Sequence, residues 1–148
     1  MEYRSLKKDS DKKPKGIGRP SSSLHDQTAA LVVELMNAAT SFHKLHLSVT
    51  GDGSYAQHKA LNEIYDALPE LADTIAEGMQ GVCEVILDYP DKAPVSLSGI
   101  EGAVQYLRNL TEEVNQLQEV MPYSEIVNNL DLVKDAVNTA KYKLIFLS

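Results

Sequence analysis

The chain has 148 residues, 43% of them hydrophobic, with one cysteine, no tryptophan and a formal net charge of −7. That length predicts one domain with a real core, and the lone Cys83 excludes an internal disulfide. No apolar run approaches the roughly 18 residues of a membrane helix, and residues 1–20 hold no apolar signal-peptide stretch, so a reducing, cytoplasmic setting without a membrane is expected.

The charge is unevenly placed. Residues 1–20 hold seven of the fourteen Lys/Arg but only three of the twenty-one Asp/Glu. A basic tail therefore precedes an acidic body that repels nucleic acid and attracts cations. The tail composition predicts disorder in the absence of a partner. Its cations, Lys7, Lys8, Lys12, Lys13, Lys15 and Arg19, make it a candidate nucleic-acid arm. Gly18-Arg19-Pro20 resembles the core of an AT-hook, although Ile17 and the sparse arginines depart from that pattern. The bland alternative is a solubilising tail.

Residues 21–148 read as helical. Ser21-Ser22-Ser23 offers N-caps. Thr28, Leu31, Val32, Leu35, Ala39, Phe42, His46 and Val49 then recur at three- and four-residue steps, predicting an amphipathic helix of about 25 residues. Thr50-Gly51-Asp52-Gly53 ends it. A second helix is expected from Ser54, with His58, Leu61, Tyr65, Leu68, Ala72, Ile75 and Met79 inward. Asn62, Asp66, Glu70, Asp73 and Glu77 occupy its other face. Pro69 should kink it, and Gly78 and Gly81 mark its expected end. Pro90 and Pro94 forbid a long helix in 82–97, which reads as a crossover. A third helix is expected over 98–120, with Val104, Leu107, Val114, Leu117 and Met121 inward. A fourth runs from Tyr123, with Ile126, Leu130, Val133, Val137, Tyr142 and Ile145 as its stripe. Met36, Met79 and Met121 read as core, and Cys83 as a small apolar residue with no base beside it. Two long helices, a crossover between helices two and three, and two more long helices make an all-α, ferritin-like four-helix bundle.

The distinctive stretch runs from His43 to Gly81. His46 and His58 lie equally far on either side of Asp52. In an antiparallel hairpin their rings face each other at one level. A single histidine on an apolar stripe is usually a core residue; two facing each other are costly to bury without partners. Asp73 and Glu77 share a face of the second helix. His58 and Asp73, however, are fifteen residues apart, about 22 Å along a straight helix. One chain does not bring both to one ion. An antiparallel copy of the helix, crossing between Ala67 and Leu68, sets His58 opposite the partner's Glu77 and Asn62 opposite the partner's Asp73. A twofold dimer then carries two mixed nitrogen/oxygen sites, suited to iron(II), manganese or zinc.

These residues resemble the Dps miniferritins (DNA-binding proteins from starved cells). The resemblance rests on His46, Gly51, His58 and Asp73-Thr74-Ile75-Ala76-Glu77 at the family's spacings, and covers residues 31–81. His58-Lys59-Ala60-Leu61 and Tyr142-Lys143-Leu144 are also similar to ferritin-like proteins of some phages. The resemblance implies a dodecameric shell with ferroxidase sites between subunits. Iron(II) would be held by His46 and His58 with the partner's Asp73 and Glu77, oxidised by peroxide or oxygen, and stored as iron(III) oxide. His46 and Asp73 could instead orient the ligands from outside. His43 and Asn62 are secondary ligand candidates. Two positions depart from the pattern: Leu47 stands where the family has Trp, and Asn62 where it has an acidic residue. Those departures motivate an alternative, a non-catalytic ferritin-like structural protein of a phage particle, its tail docked on virion partners. The chain would then reside in the host cytoplasm or the virion. No phosphate-binding Gly-rich loop and no nucleophilic Ser/His/Asp or Cys/His set is specified.

Overall fold

The computed structural model describes residues 23–148. Four helices occupy them: α1 (Leu24–His46), α2 (Ser54–Cys83), α3 (Ile100–Val120) and α4 (Ser124–Phe146). No strand occurs among the described residues, and none of their helices is long and apolar enough to cross a membrane. The basic tail, with its six candidate DNA-contacting cations, lies outside the described residues.

α1 begins where its sequence says it should. The Ser23 hydroxyl accepts the Asp26 amide at 3.1 Å, satisfying one of the four amides a helix start leaves free. Asp26 in the first turn and His43, Lys44 and His46 in the last complement the helix dipole. The turn to α2 uses left-handed backbone at Gly51 (φ 86°) and Gly53 (φ 78°), a region open mainly to glycine. α2 then runs thirty residues without a break at Pro69. Pro69 lies on the exposed face, where a missing amide costs least. Gly78 and Gly81 do not end the helix; it continues to Cys83 and stops at Glu84, which is left-handed (φ 53°). Gly78 is instead a packing position: a Cβ there would lie 2.8 Å from the Ile126 methyl of α4.

The principal helix pairings are α1–α2, α2–α4, α3–α4 and α1–α3. Consecutive helices α2 and α3 therefore sit across the bundle from each other. Residues 84–99 join them without a helix. This connection lies along α1: Asn37 Nδ2 donates to the Lys92 carbonyl at 2.8 Å and Ser41 Oγ to the Val95 carbonyl at 2.6 Å. Both segments advance in the same direction there.

Leu35, Phe42, Leu61, Leu68, Ile75, Met79, Leu107, Leu110, Ile126 and Leu130 form the fully buried centre. Phe42 meets Tyr106 edge-on, with ring centroids 5.6 Å apart. Three residues expected in the core are exposed instead. Met36 is exposed, because it sits one position past Leu35 and is rotated about 100° away from the stripe. Tyr142 and Ile145 are exposed too. From Val137, alternating steps of three and four reach Ala140 and Leu144, and these two are buried instead.

Candidate metal centre

The α1–α2 hairpin brings His46 and His58 together. Their rings stack with centroids 3.6 Å apart and planes 25° from parallel. His46 Nδ1 lies 3.0 Å from the His58 carbonyl oxygen, and His58 Nδ1 lies 3.1 Å from the His46 carbonyl oxygen. A carbonyl oxygen only accepts, so each Nδ1 carries the hydrogen. In the neutral rings Nε2 then keeps its lone pair on both histidines. A metal-binding histidine is normally oriented in this way, one nitrogen tethered to a backbone carbonyl and the other free to coordinate. The tethers also answer the cost of burial: His46 is 7% exposed and His58 half-buried, and each has a partner.

Around this pair lies a second tier. His43 is exposed and stacks on Tyr65, with centroids 4.0 Å apart and planes 8° from parallel. Tyr65 meets His46 edge-on at 5.1 Å. The Tyr65 hydroxyl donates to Asn62 Oδ1 at 3.2 Å, and Asn62 Nδ2 donates to Asp66 Oδ2 at 2.7 Å. Asn62 is thus engaged at both ends of its amide. Asp73 and Glu77 are exposed on the outer face of α2, away from the imidazoles along the helix. Among the described residues of one chain, no group of three or more His, Cys, Asp or Glu converges on a common point. The fold supplies nitrogen donors at one end of α2 and oxygen donors further along it.

A second polar constellation carries no motif. Glu34 lies on the inward side of α1 at 5% exposure. The Tyr106 hydroxyl of α3 donates to its Oε1, and Lys92 of the 84–99 connection pairs with its Oε2 at 2.9 Å. Burial, with the hydrogen bond to Glu34 next, holds the Tyr106 hydroxyl protonated well beyond the usual phenol range. The hydrogen bond to Glu34 likewise raises the Lys92 ammonium. Burial and repulsion from Glu34 raise the Glu113 carboxyl nearby. The available signal was positional: Glu34 interrupts an apolar run, and Asn37 and Ser41 follow at helical spacing on the same side. All three side chains bond to the connection or to residues on it. No buried side-chain nitrogen or oxygen among the described residues is left without a partner.

Cys83 Sγ sits 3.7 Å from the Tyr123 hydroxyl, and that contact raises the Tyr123 phenol. Among the described residues, no histidine or lysine is hydrogen-bonded to the thiol.

Residues 46–144 match the model of a family of unknown function, DUF5856, and the chain belongs to that family. The matched stretch opens at His46 and contains His58, Asn62, Asp73 and Glu77. No curated protein matches the chain.

Proposed function

We propose that this DUF5856 member is a ferritin-like, Dps-type iron-binding protein that oxidises iron(II) at sites shared by two copies of the chain and stores the product. The observation that carries the reading is the His46–His58 pair, whose reciprocal Nδ1–carbonyl bonds leave two Nε2 lone pairs free. The long 84–99 connection lying along α1, and the placement of α2 and α3 across the bundle, support the ferritin-like reading. Iron(II) is the substrate. The imidazoles would hold it from one chain and the partner copy's carboxylates would neutralise it from the other, a mixed set that suits iron, with zinc and manganese as competitors. The exposure of Asp73 and Glu77 leaves them open to a second copy. The basic tail, on this reading, holds DNA through phosphate contacts.

Anaerobic iron(II) titration followed by peroxide is the test. The wild type should develop a ferric absorbance that His58→Ala abolishes. A wild type that takes up no iron under these conditions rejects the reading.

One observation favours a second reading, a non-catalytic ferritin-like structural protein such as a virion component. Asn62, where an acidic ligand is expected, is neutral and already bonded to Tyr65 and Asp66. Restoring the acid discriminates: Asn62→Asp or Asn62→Glu should raise ferric turnover if the site is catalytic, and leave it at background if it is only structural.

A further inference from the structure

The described chain begins at Ser23, and the end of the bundle where it begins is acidic. The register that sets His46 opposite His58 sets Leu24 opposite Gln80, so the start of α1 lies beside the close of α2. Cys83 contacts the Tyr123 hydroxyl, and Gln118 Nε2 donates to the Val127 carbonyl at 3.2 Å, which brings the close of α3 and the start of α4 to the same end. The segments that build it, residues 23–30, 77–89 and 116–128, hold Asp26, Glu77, Glu84, Asp88, Glu119 and Glu125 and no Lys or Arg. Glu84, Asp88, Glu119 and Glu125 are exposed, and among the described residues no cation pairs with these four.

Two of these carboxylates stand where a helix usually presents a cation. Glu119 lies in the last turn of α3 and Glu84 caps the close of α2, and neither helix has a basic residue in its last turn. The partial negative charge of a helix C-terminus favours Lys or Arg there. The body's own cations are placed elsewhere: Lys44, Lys59, Lys141 and Lys143 lie toward the far end, where the α1–α2 turn meets the close of α4. Next to the two acids in sequence, Val82, Ile86 and Val120 are 40%, 50% and 52% exposed. The face is therefore acidic, set on two helix C-termini, and partly apolar.

The segment that joins the bundle at this end, residues 1–22, holds seven Lys/Arg from Arg4 to Arg19, with Tyr3, Leu6 and Ile17 among them. Arg19 is four residues from Ser23 and Lys15 eight, within about 13 and 26 Å of extended chain. A tether this short gives an effective concentration in the millimolar range, so surface ion pairs that are weak one at a time suffice together. We infer that residues 1–22 dock on this end of their own chain, cations on Glu84, Asp88, Glu119 and Glu125 and apolar side chains on Val82, Ile86 and Val120. The docking stands whatever else the tail binds. Its consequence rests on the DNA reading above: docked cations are withheld from phosphate, so the acidic end regulates the tail's hold on DNA.

Carbodiimide coupling of the full chain, which joins a lysine amine directly to a carboxylate, tests the docking when the products are mapped by peptide mass spectrometry. At low salt, Lys12, Lys13 or Lys15 should join to Glu84, Asp88, Glu119 or Glu125, and the yield should fall as salt screens the contacts. In an equal mixture of ordinary and nitrogen-15 chains refolded together, each joined pair should carry a single label. Joins that reach Asp52 and Glu101 at the far end as often, or no salt-sensitive join, overturn the inference. So do joins of mixed label, which would give the tail to a neighbouring copy. The regulation has its own readout. Glu84→Gln/Glu119→Gln/Glu125→Gln frees the tail; if it is docked about two-thirds of the time, DNA retention by the full chain should rise about threefold. That rise should exceed the one from Asp52→Asn/Glu101→Gln/Glu112→Gln, which removes the same charge elsewhere. Equal rises overturn the regulation. No DNA retention by any of the three chains rejects the DNA reading, and the joined peptides still decide the docking.

Discussion

Glu34 survives burial because two donors from different segments reach its two oxygens. Tyr106 approaches from α3 and Lys92 from the connection. Removing the carboxylate leaves a half-buried hydroxyl without its acceptor, and an orphaned buried donor costs far more than the net worth of a hydrogen bond. Glu34→Ala should lower unfolding stability by about 2–3 kcal/mol in urea titration. The Tyr106 hydroxyl gives the same cluster a pH signature. Its folded pKa lies above the unfolded value of 10.0. A group raised in this direction contributes stability that is fully present below the unfolded value. It is lost as pH rises above 10, where the unfolded state releases the proton and the folded state still holds it. Lys92 is raised for the same partner and acts in the same alkaline window. Melting temperatures between pH 8 and 11.5 should therefore fall more steeply in the wild type than in Tyr106→Phe. Parallel curves would remove Tyr106 from the account.

Among the elements, the α1–α2 hairpin is the most demanding. Gly53 sits at φ 78° with the Ser148 backbone against it. Gly53→Ala meets both a backbone penalty and a collision that a flexible side chain does not relieve. It should cost about 1–3 kcal/mol, measured by thermal unfolding, while Gly51→Ala, with open space around it, meets only the backbone penalty. How much of the fold the sequence discloses follows from what sets each element. Helix starts and inward stripes are local: Ser23 caps α1, and the three–four spacing places Leu35, Leu68, Ile75 and Leu130 in the core. The facing of His46 and His58 is legible too, because it needs only a tight turn centred on Asp52. Their tautomers are not legible, since these depend on where two carbonyls point. Long-range decisions were likewise hidden. Gly78 reads as a helix stop until Ile126 is seen against it, and Tyr142 reads as core until Ala140 and Leu144 set the phase. The partner that lets Glu34 be buried, Lys92, likewise arrives from 58 residues away.

At the scale of the whole molecule, one question separates an enzyme-like shell from a plain bundle: whether a second chain completes the centre. Within one chain, His58 and Glu77 are nineteen residues apart on a single helix, about 28 Å along its axis. Neither bending at Pro69 nor side-chain reach spans that distance. On the twofold reading each site takes His58 from one copy and Glu77 from the other. Two inactive variants should therefore complement each other. In a hybrid of one His58→Ala chain and one Glu77→Gln chain, one site carries both lesions and the other carries none. Random pairing of an equal mixture makes half the dimers hybrid, each with one intact site of two, so ferric turnover should recover to about a quarter of wild type. The chains must be co-expressed or unfolded and refolded together so that partners exchange. A co-assembled mixture as silent as its two parents would mean that the histidines and the carboxylates never meet. Full helicity and a dimeric mass in that silent mixture would then place the His46–His58 pair among the structural contacts of the hairpin.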